Sequence, residues 1–398
     1  MKPVTRLFFI TTGWTLAMYS ASNFIGAWFW DIGTGLRPIL LFYTTIFVVM
    51  VASFALASRI RQAMSSPAMM TMGIILNALY LALLLVLQTK TRDYYIPLAI
   101  LDGLSSSFYW LSLFVLASSW VQAGQASWYN SWTGTIEAIL GLVAPPLSGW
   151  IIHLLPGLNG YRTVFFVAFL SLLACAWLIL AGQARTPQRD LNVVPHVLGR
   201  RPQIPGWTRL CWSFWGLGLR DGMYFFVPNL LLYIVTGSTV LLGFFTAMQA
   251  ALEGLVFWAL TRSGADEKTR RRQLIAATLI SLAALGLFMQ PLNAASLFAL
   301  GAVIAISYPA FKVTLETAAL TAISRHGRSE EERTQLTGLK EVWINVGRLL
   351  SLVFLVVLLS CLGPLHLADF RWILGLWAFI PLSIYQMARP LPRLASAD

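Results

Sequence analysis

Charge is what this sequence has least of. Only 11% of its 398 residues are Asp, Glu, Lys or Arg, against about 25% in soluble globular chains. So few ionised groups cannot cover a water-facing surface, which excludes an ordinary soluble domain. Four histidines (His153, His196, His326, His366) fall at loops or helix ends, and three cysteines (Cys175, Cys211, Cys361) lie in or beside apolar stretches. Neither set has disulfide or metal-ligand spacing, so no metal and no cofactor are expected. A glycine-rich phosphate loop and a nucleophile–base pattern are also missing, so the chain is not expected to be an enzyme.

Apolar sequence fills the place of charge. Hydrophobic residues make up 58% of the chain, and its mean hydropathy is +0.71. Twelve apolar segments follow one another at 7–30, 36–58, 67–88, 94–120, 127–152, 162–182, 209–234, 239–261, 273–290, 294–320, 335–362 and 370–389. Each approaches or exceeds the roughly 20 residues that cross a hydrocarbon core. The expected fold class is an all-α polytopic membrane protein with twelve transmembrane helices. The first segment is too long for a signal-peptide core and has no small-residue cleavage site after it, so it reads as a retained helix. A long connection, 184–208, is polar, basic and rich in proline. It divides a first six-helix bundle (1–183) from a second (209–398).

The net charge is +12, and its distribution gives it a meaning. With the N-terminus inside, the inner loops and tails carry nineteen of the basic residues and the outer loops five (Arg37, Lys90, Arg92, Arg162, Arg371). This positive-inside bias places both termini and the linker in the cytoplasm and makes nucleic acid an unneeded partner. Arg270–Arg272 fit the same role, with anionic lipid within reach.

The halves repeat weakly. Thr133-Gly134 and Glu137 correspond to Thr337-Gly338 and Glu341, Thr34-Gly35 to Thr236-Gly237, and Tyr109 to Tyr308, all at offsets close to 200 residues. Parallel six-helix repeats produce such an offset. In these features the chain resembles the major facilitator superfamily of secondary transporters over its whole length. Gly134, Gly141, Pro145, Pro146 and Gly149 in the fifth segment resemble that family's helix-5 antiporter motif. The loop Ala55–Arg61 matches the family's loop signature only in part, with Ser58 at the usual acidic position. The fourth segment has Asp102–Trp110 where many proton-coupled drug exporters carry an arginine. The resemblance implies alternating access about a central site, with segments 3, 6, 9 and 12 facing lipid.

Ten charged residues interrupt the apolar segments: Asp102, Glu137, Arg220, Asp221, Glu253, Lys312, Glu316, Lys340, Glu341 and Arg348. A charge at bilayer depth costs roughly 3 kcal/mol or more, so such residues mark pairs or pathways. None lies in segments 3, 6, 9 or 12, in agreement with the lipid-facing plan. At 1.5 Å of rise per residue, Arg220 and Asp221 lie about 17 Å from the inner end of their helix, and Glu137, Glu253, Lys312 and Glu341 near the same level. Lys312 and Glu316 share a face at i, i+4 and read as a local pair; Glu341, Asn345 and Arg348 share another. Arg220 and Asp221 point about 100° apart, which predicts separate partners on other helices. Glu253 and Lys340 sit where side chains snorkel to the interface.

Roles follow from type and depth. Glu137, Asp221 and Glu341 are the candidate proton carriers, because a carboxylate that alternates between burial and a cationic neighbour loads and releases a proton. Arg220, Lys312, Glu316, Arg348, Asp102 and Asn345 are candidate cavity charges, with Tyr109, Tyr224 and Asn23 beside them for substrate contact. Trp128, Tyr129 and Trp207 read as interface-belt aromatics. The expected function is proton-coupled transport of a small molecule by a functional monomer in the bacterial inner membrane, surrounded by lipid. Export of an amphipathic compound in exchange for protons comes first. Uptake of an organic anion, lipid flipping, and a non-transporting receptor or assembly factor are the alternatives.

Overall fold

A computed structural model describes residues 2–56, 59–60, 64–121, 123–181, 204–262, 267–288, 291–326, 330–363 and 367–388. Among these residues every regular element is helical. Helices α1 (Pro3–Ala21) and α2 (Ile25–Asp31) are joined by a 3-10 turn at Ser22–Phe24. After them come α3 (Leu36–Ala55), α4 (Ser66–Leu87), α5 (Tyr95–Trp120), α6 (Ala123–Leu154) and α7 (Asn159–Leu180). The later helices are α8 (Trp207–Tyr224), α9 (Val227–Thr236), α10 (Thr239–Arg262), α11 (Glu267–Ala283), α12 (Leu285–Phe288), α13 (Ala294–His326), α14 (Glu330–Leu362), α15 (Leu367–Trp377) and α16 (Ile380–Ala388).

Among the described residues, eight helices are long and apolar enough to cross a membrane. The other four expected segments (7–30, 209–234, 273–290 and 370–389) are each divided into two helices. Proline explains two of the breaks. Pro228 and Pro381 stand at the second residue of α9 and α16, where a missing N–H is harmless but a continuing helix would be interrupted. The expected linker lies outside the described residues up to 203. Its end is described: Trp207 opens α8 and is buried, not set in an interface belt. Tyr129 is buried as well, while Trp128 is exposed as expected.

The described chain gathers into two compact units, one holding the residues up to 181 with Ser238–Ala247, the other 204 to Gly237 with Met248 onward. In the first unit, small residues bring backbones together. A Cβ at Gly73 would stand 2.8 Å from Tyr109 N and 2.9 Å from Ser105 O, so α4 and α5 touch at that turn. Gly103 lets α5 meet Ile46 of α3 in the same way. Gly149 lies against the Thr239 backbone, and Thr239 Oγ1 donates to Gly149 O at 2.9 Å. In the second unit α8 and α14 are the closest pair. Gly218 abuts the Ile344 carbonyl, Gly222 abuts Arg348 and Ser351, and Gly347 abuts Trp215 and Leu219. Apolar association adds little between helices in lipid, so backbone proximity of this kind is what positions them.

Candidate functional site

The α8–α14 contact places buried charge beside the break between α8 and α9. Arg220 is 2% exposed. Its Nη2 donates to Ile304 O and Ser307 Oγ of α13, each at 3.1 Å. The Tyr224 and Tyr308 rings lie 5.4 Å from its guanidinium carbon, within cation–π range. Its Nη1 is 3.4 Å from Asp221 Oδ1. The other carboxylate oxygen, Asp221 Oδ2, is 3.6 Å from Arg348 Nη2 on α14. Arg348 Nη1 also donates to Asn345 Oδ1 at 3.3 Å, and Asn345 Nδ2 donates to Glu341 O at 2.8 Å. Asp221 therefore sits between two guanidinium groups from different helices, one buried and one a quarter exposed.

Two further charged residues belong to this group. Lys312 of α13 is exposed, with its ammonium 5.4 Å from the Tyr308 ring centroid. Glu253 of α10 is partly buried and within electrostatic reach of Lys312, Arg220 and Asp221. Three cations (Arg220, Lys312, Arg348) thus stand among three carboxylates, Asp221, Glu253 and, within reach of Lys312, Glu316. A lower group is built around Lys340, whose Nζ lies 2.9 Å from both Glu316 oxygens and 3.1 Å from Glu341 Oε1. The Phe214 ring is 5.3 Å from the same ammonium.

These contacts correct three expectations. Arg220 and Asp221 do take partners from α13 and α14, but they also pair with each other. Adjacent Cβ atoms diverge by about 100°, yet the long arginine stem bends back across that angle. Glu316 pairs with Lys340 of α14, and Lys312 turns to Tyr308 instead of forming the expected local pair. Lys340 does not snorkel; it is 5% exposed and clamped by two carboxylates.

The remaining candidates lie in the first unit. Asn77 Nδ2 donates to Asp102 Oδ1 at 3.1 Å. Tyr109 is stacked on Trp14, centroids 3.7 Å apart and planes 7° from parallel, and is fully buried. Asn23 occupies the 3-10 turn, where its Nδ2 donates to Tyr19 O at 3.2 Å. Glu137 is exposed on α6. Among the described residues, no group of three or more His, Cys, Asp or Glu converges as metal ligands.

No family model matches the chain. It is 26% identical over 370 residues to an uncharacterized protein, YqgE, of Bacillus subtilis (strain 168), covering 91% of this chain and 85% of that one. An uncharacterized protein in the sodM 3′ region of Geobacillus stearothermophilus is 23% identical over 189 residues, 47% of this chain and 87% of that one. Among solved structures, a bacterial homologue of the iron transporter ferroportin in its inward-facing state superposes with a TM-score of 0.71 over 99% of both chains, at 15% identity. The E. coli fucose:proton symporter FucP gives 0.60 over 100% of this chain and 99% of that one, at 13% identity. The chain has the major facilitator fold.

Of the residues at this site, the sequence reading left out Ser307, noted Tyr308 only as the repeat partner of Tyr109, and took Lys340, counted among the buried charges, as snorkelling. Tyr308 carried a signal, since it lies one turn before Lys312 and matches Tyr109 in the repeat. Ser307 carried none, because small hydroxyl residues are common in such helices. Lys340 was masked by its nearness to the helix end.

Proposed function

We propose that the protein is a secondary transporter that moves a small organic anion together with a proton by alternating access. The observation that carries this reading is Asp221, held between Arg220 and Arg348 beside a helix break. Ionised Asp221 occupies Arg348 and competes with an anionic solute. Protonated Asp221 no longer holds Arg348 Nη2, and that guanidinium end can then meet the solute together with Lys312. Proton and anion then favour each other's binding, which is the thermodynamic requirement for coupling. The Tyr224 and Tyr308 rings suit an apolar or aromatic body on the solute, and Glu137 and Glu341 remain further proton carriers. Metal is not proposed as the cargo, although ferroportin homologues share the fold: the carboxylates of this group already face Arg220, Lys312 and Arg348, cations that repel a divalent ion.

A second reading, proton-driven export of an amphipathic compound, is favoured by the α6 motif. Gly149 and Pro145 supply the close approach to Thr239 and Gly243 that the motif's small residues would allow. Both readings place twelve spans in a bacterial inner membrane with cytoplasmic termini.

The test is flux in proteoliposomes with a trapped pH dye. Anionic and lipophilic solutes are added outside vesicles of the purified protein. An anion that acidifies the lumen supports symport, and a lipophilic solute that alkalinises it supports export. Absence of any pH-gradient-driven movement across the panel sinks both. Asp221→Asn should abolish coupled flux while leaving solute exchange measurable; undiminished coupled flux in that variant removes Asp221 from the role.

A further inference from the structure

The first unit contains buried polar atoms that the ion-pair cluster does not use. Asn77 is 1% exposed, Tyr80 3% and Ser105 0%, yet Asn77 Oδ1, Tyr80 Oη and Ser105 Oγ each lack a hydrogen-bond partner. Buried polar atoms in native proteins are almost always satisfied, so three unsatisfied ones within a helical turn of the Asn77–Asp102 contact call for a partner such as water or an ion. Asn77 and Tyr80 stand beside a fourth oxygen group, the Asp102 carboxylate. Asn77 donates to Asp102 Oδ1. Tyr80 is one turn beyond Asn77 on α4, and Ser105 is one turn beyond Asp102 on α5. The helices run antiparallel, so these residues flank the Asn77–Asp102 contact from opposite sides. The Tyr80 and Tyr43 hydroxyls are both within electrostatic range of the Asp102 carboxylate. Among the described residues no basic side chain pairs with Asp102.

We propose that Asp102, Asn77, Tyr80 and Ser105 bind a small monovalent cation, with sodium as the ion that fits. The donors are all oxygens (a carboxylate, an amide carbonyl, a phenol and an alcohol), which is the set hard cations prefer. One carboxylate balances one positive charge, whereas a divalent ion would leave a charge uncompensated at bilayer depth. The amide orientation fits as well: its NH2 supports Asp102 and leaves Oδ1 free to ligate. The close approach of α4 to α5 at Gly73 sets the donors of the two helices side by side. The site is separate from the Asp221 cluster, and the proposal stands whether or not protons are coupled there.

Thermal unfolding of the full-length protein in detergent tests it, with sodium, potassium, calcium or choline chloride at constant ionic strength. Sodium should raise the midpoint saturably over choline. Asp102→Asn should remove that response, and Ser105→Ala and Tyr80→Phe should raise the half-saturating concentration about tenfold. The proposal is overturned if sodium and choline act alike, if Asp102→Asn retains the sodium response, or if only potassium or calcium stabilises. Should Asp102→Asn not fold, the hydroxyl variants decide: half-saturation unchanged in both overturns the site.

Discussion

At the scale of single residues, the two arginines that hold Asp221 differ in what removing them does. Arg220 is 2% exposed at its side chain, and Arg348 is 25% exposed. Losing a buried partner strands the charge it served, at about 3 to 5 kcal/mol, because neither water nor another ion replaces it. Arg220→Met also leaves Ile304 O and Ser307 without their donor. It should therefore destabilise by an amount in that range. Arg348→Met, which water can partly replace, should cost closer to about 1 kcal/mol. Unfolding free energies in mixed micelles measure both. Equal losses would mean that solvent reaches Arg220 as easily as Arg348. That Arg220 and Asp221 were buried was legible from their neighbours in the sequence. Their mutual contact was not, because helical angle fixes the direction of Cβ and says little about the end of a four-atom stem.

At the scale of elements, glycines separate into those that hold helices together and those that do not. A Cβ at Gly218 meets the Ile344 carbonyl, a backbone atom that cannot rotate away. Gly218→Ala should force α8 and α14 apart and cost about 1 to 3 kcal/mol. Gly134, in the middle of α6, has nothing within 4 Å of an added Cβ. Gly134→Ala should instead stabilise by up to about 1 kcal/mol through helix propensity. Melting temperatures of the two variants in the same detergent should move in opposite directions, and a loss in both would mean that Gly134 has a close partner. In sequence the two glycines look alike, since both interrupt apolar helices. Only the neighbour across the interface distinguishes them. The helix breaks were similarly half-legible: Pro228 and Pro381 announce theirs, whereas Ser22–Phe24 has no residue that forbids a continuous helix.

At the scale of the whole molecule, the helical character and the long apolar runs were the most legible features. They follow from the energetics of lipid, which act on composition directly. Partner choice inside the second unit follows from side-chain reach and was not readable in this way. The topology that the basic loops imply has a direct test in the cysteines. Cys175 and Cys211 are buried, and Cys361, at the end of α14, is exposed. With the N-terminus inside, an eleventh span ends outside. A membrane-impermeant maleimide applied to intact cells should then label the protein once. Cys361→Ser should abolish that label, while Cys175→Ser and Cys211→Ser leave it intact. Labelling of Cys361 only after the membrane is opened would invert the orientation. It would then place Arg270–Arg272 outside, against the energetic bias that the nineteen inner basic residues express.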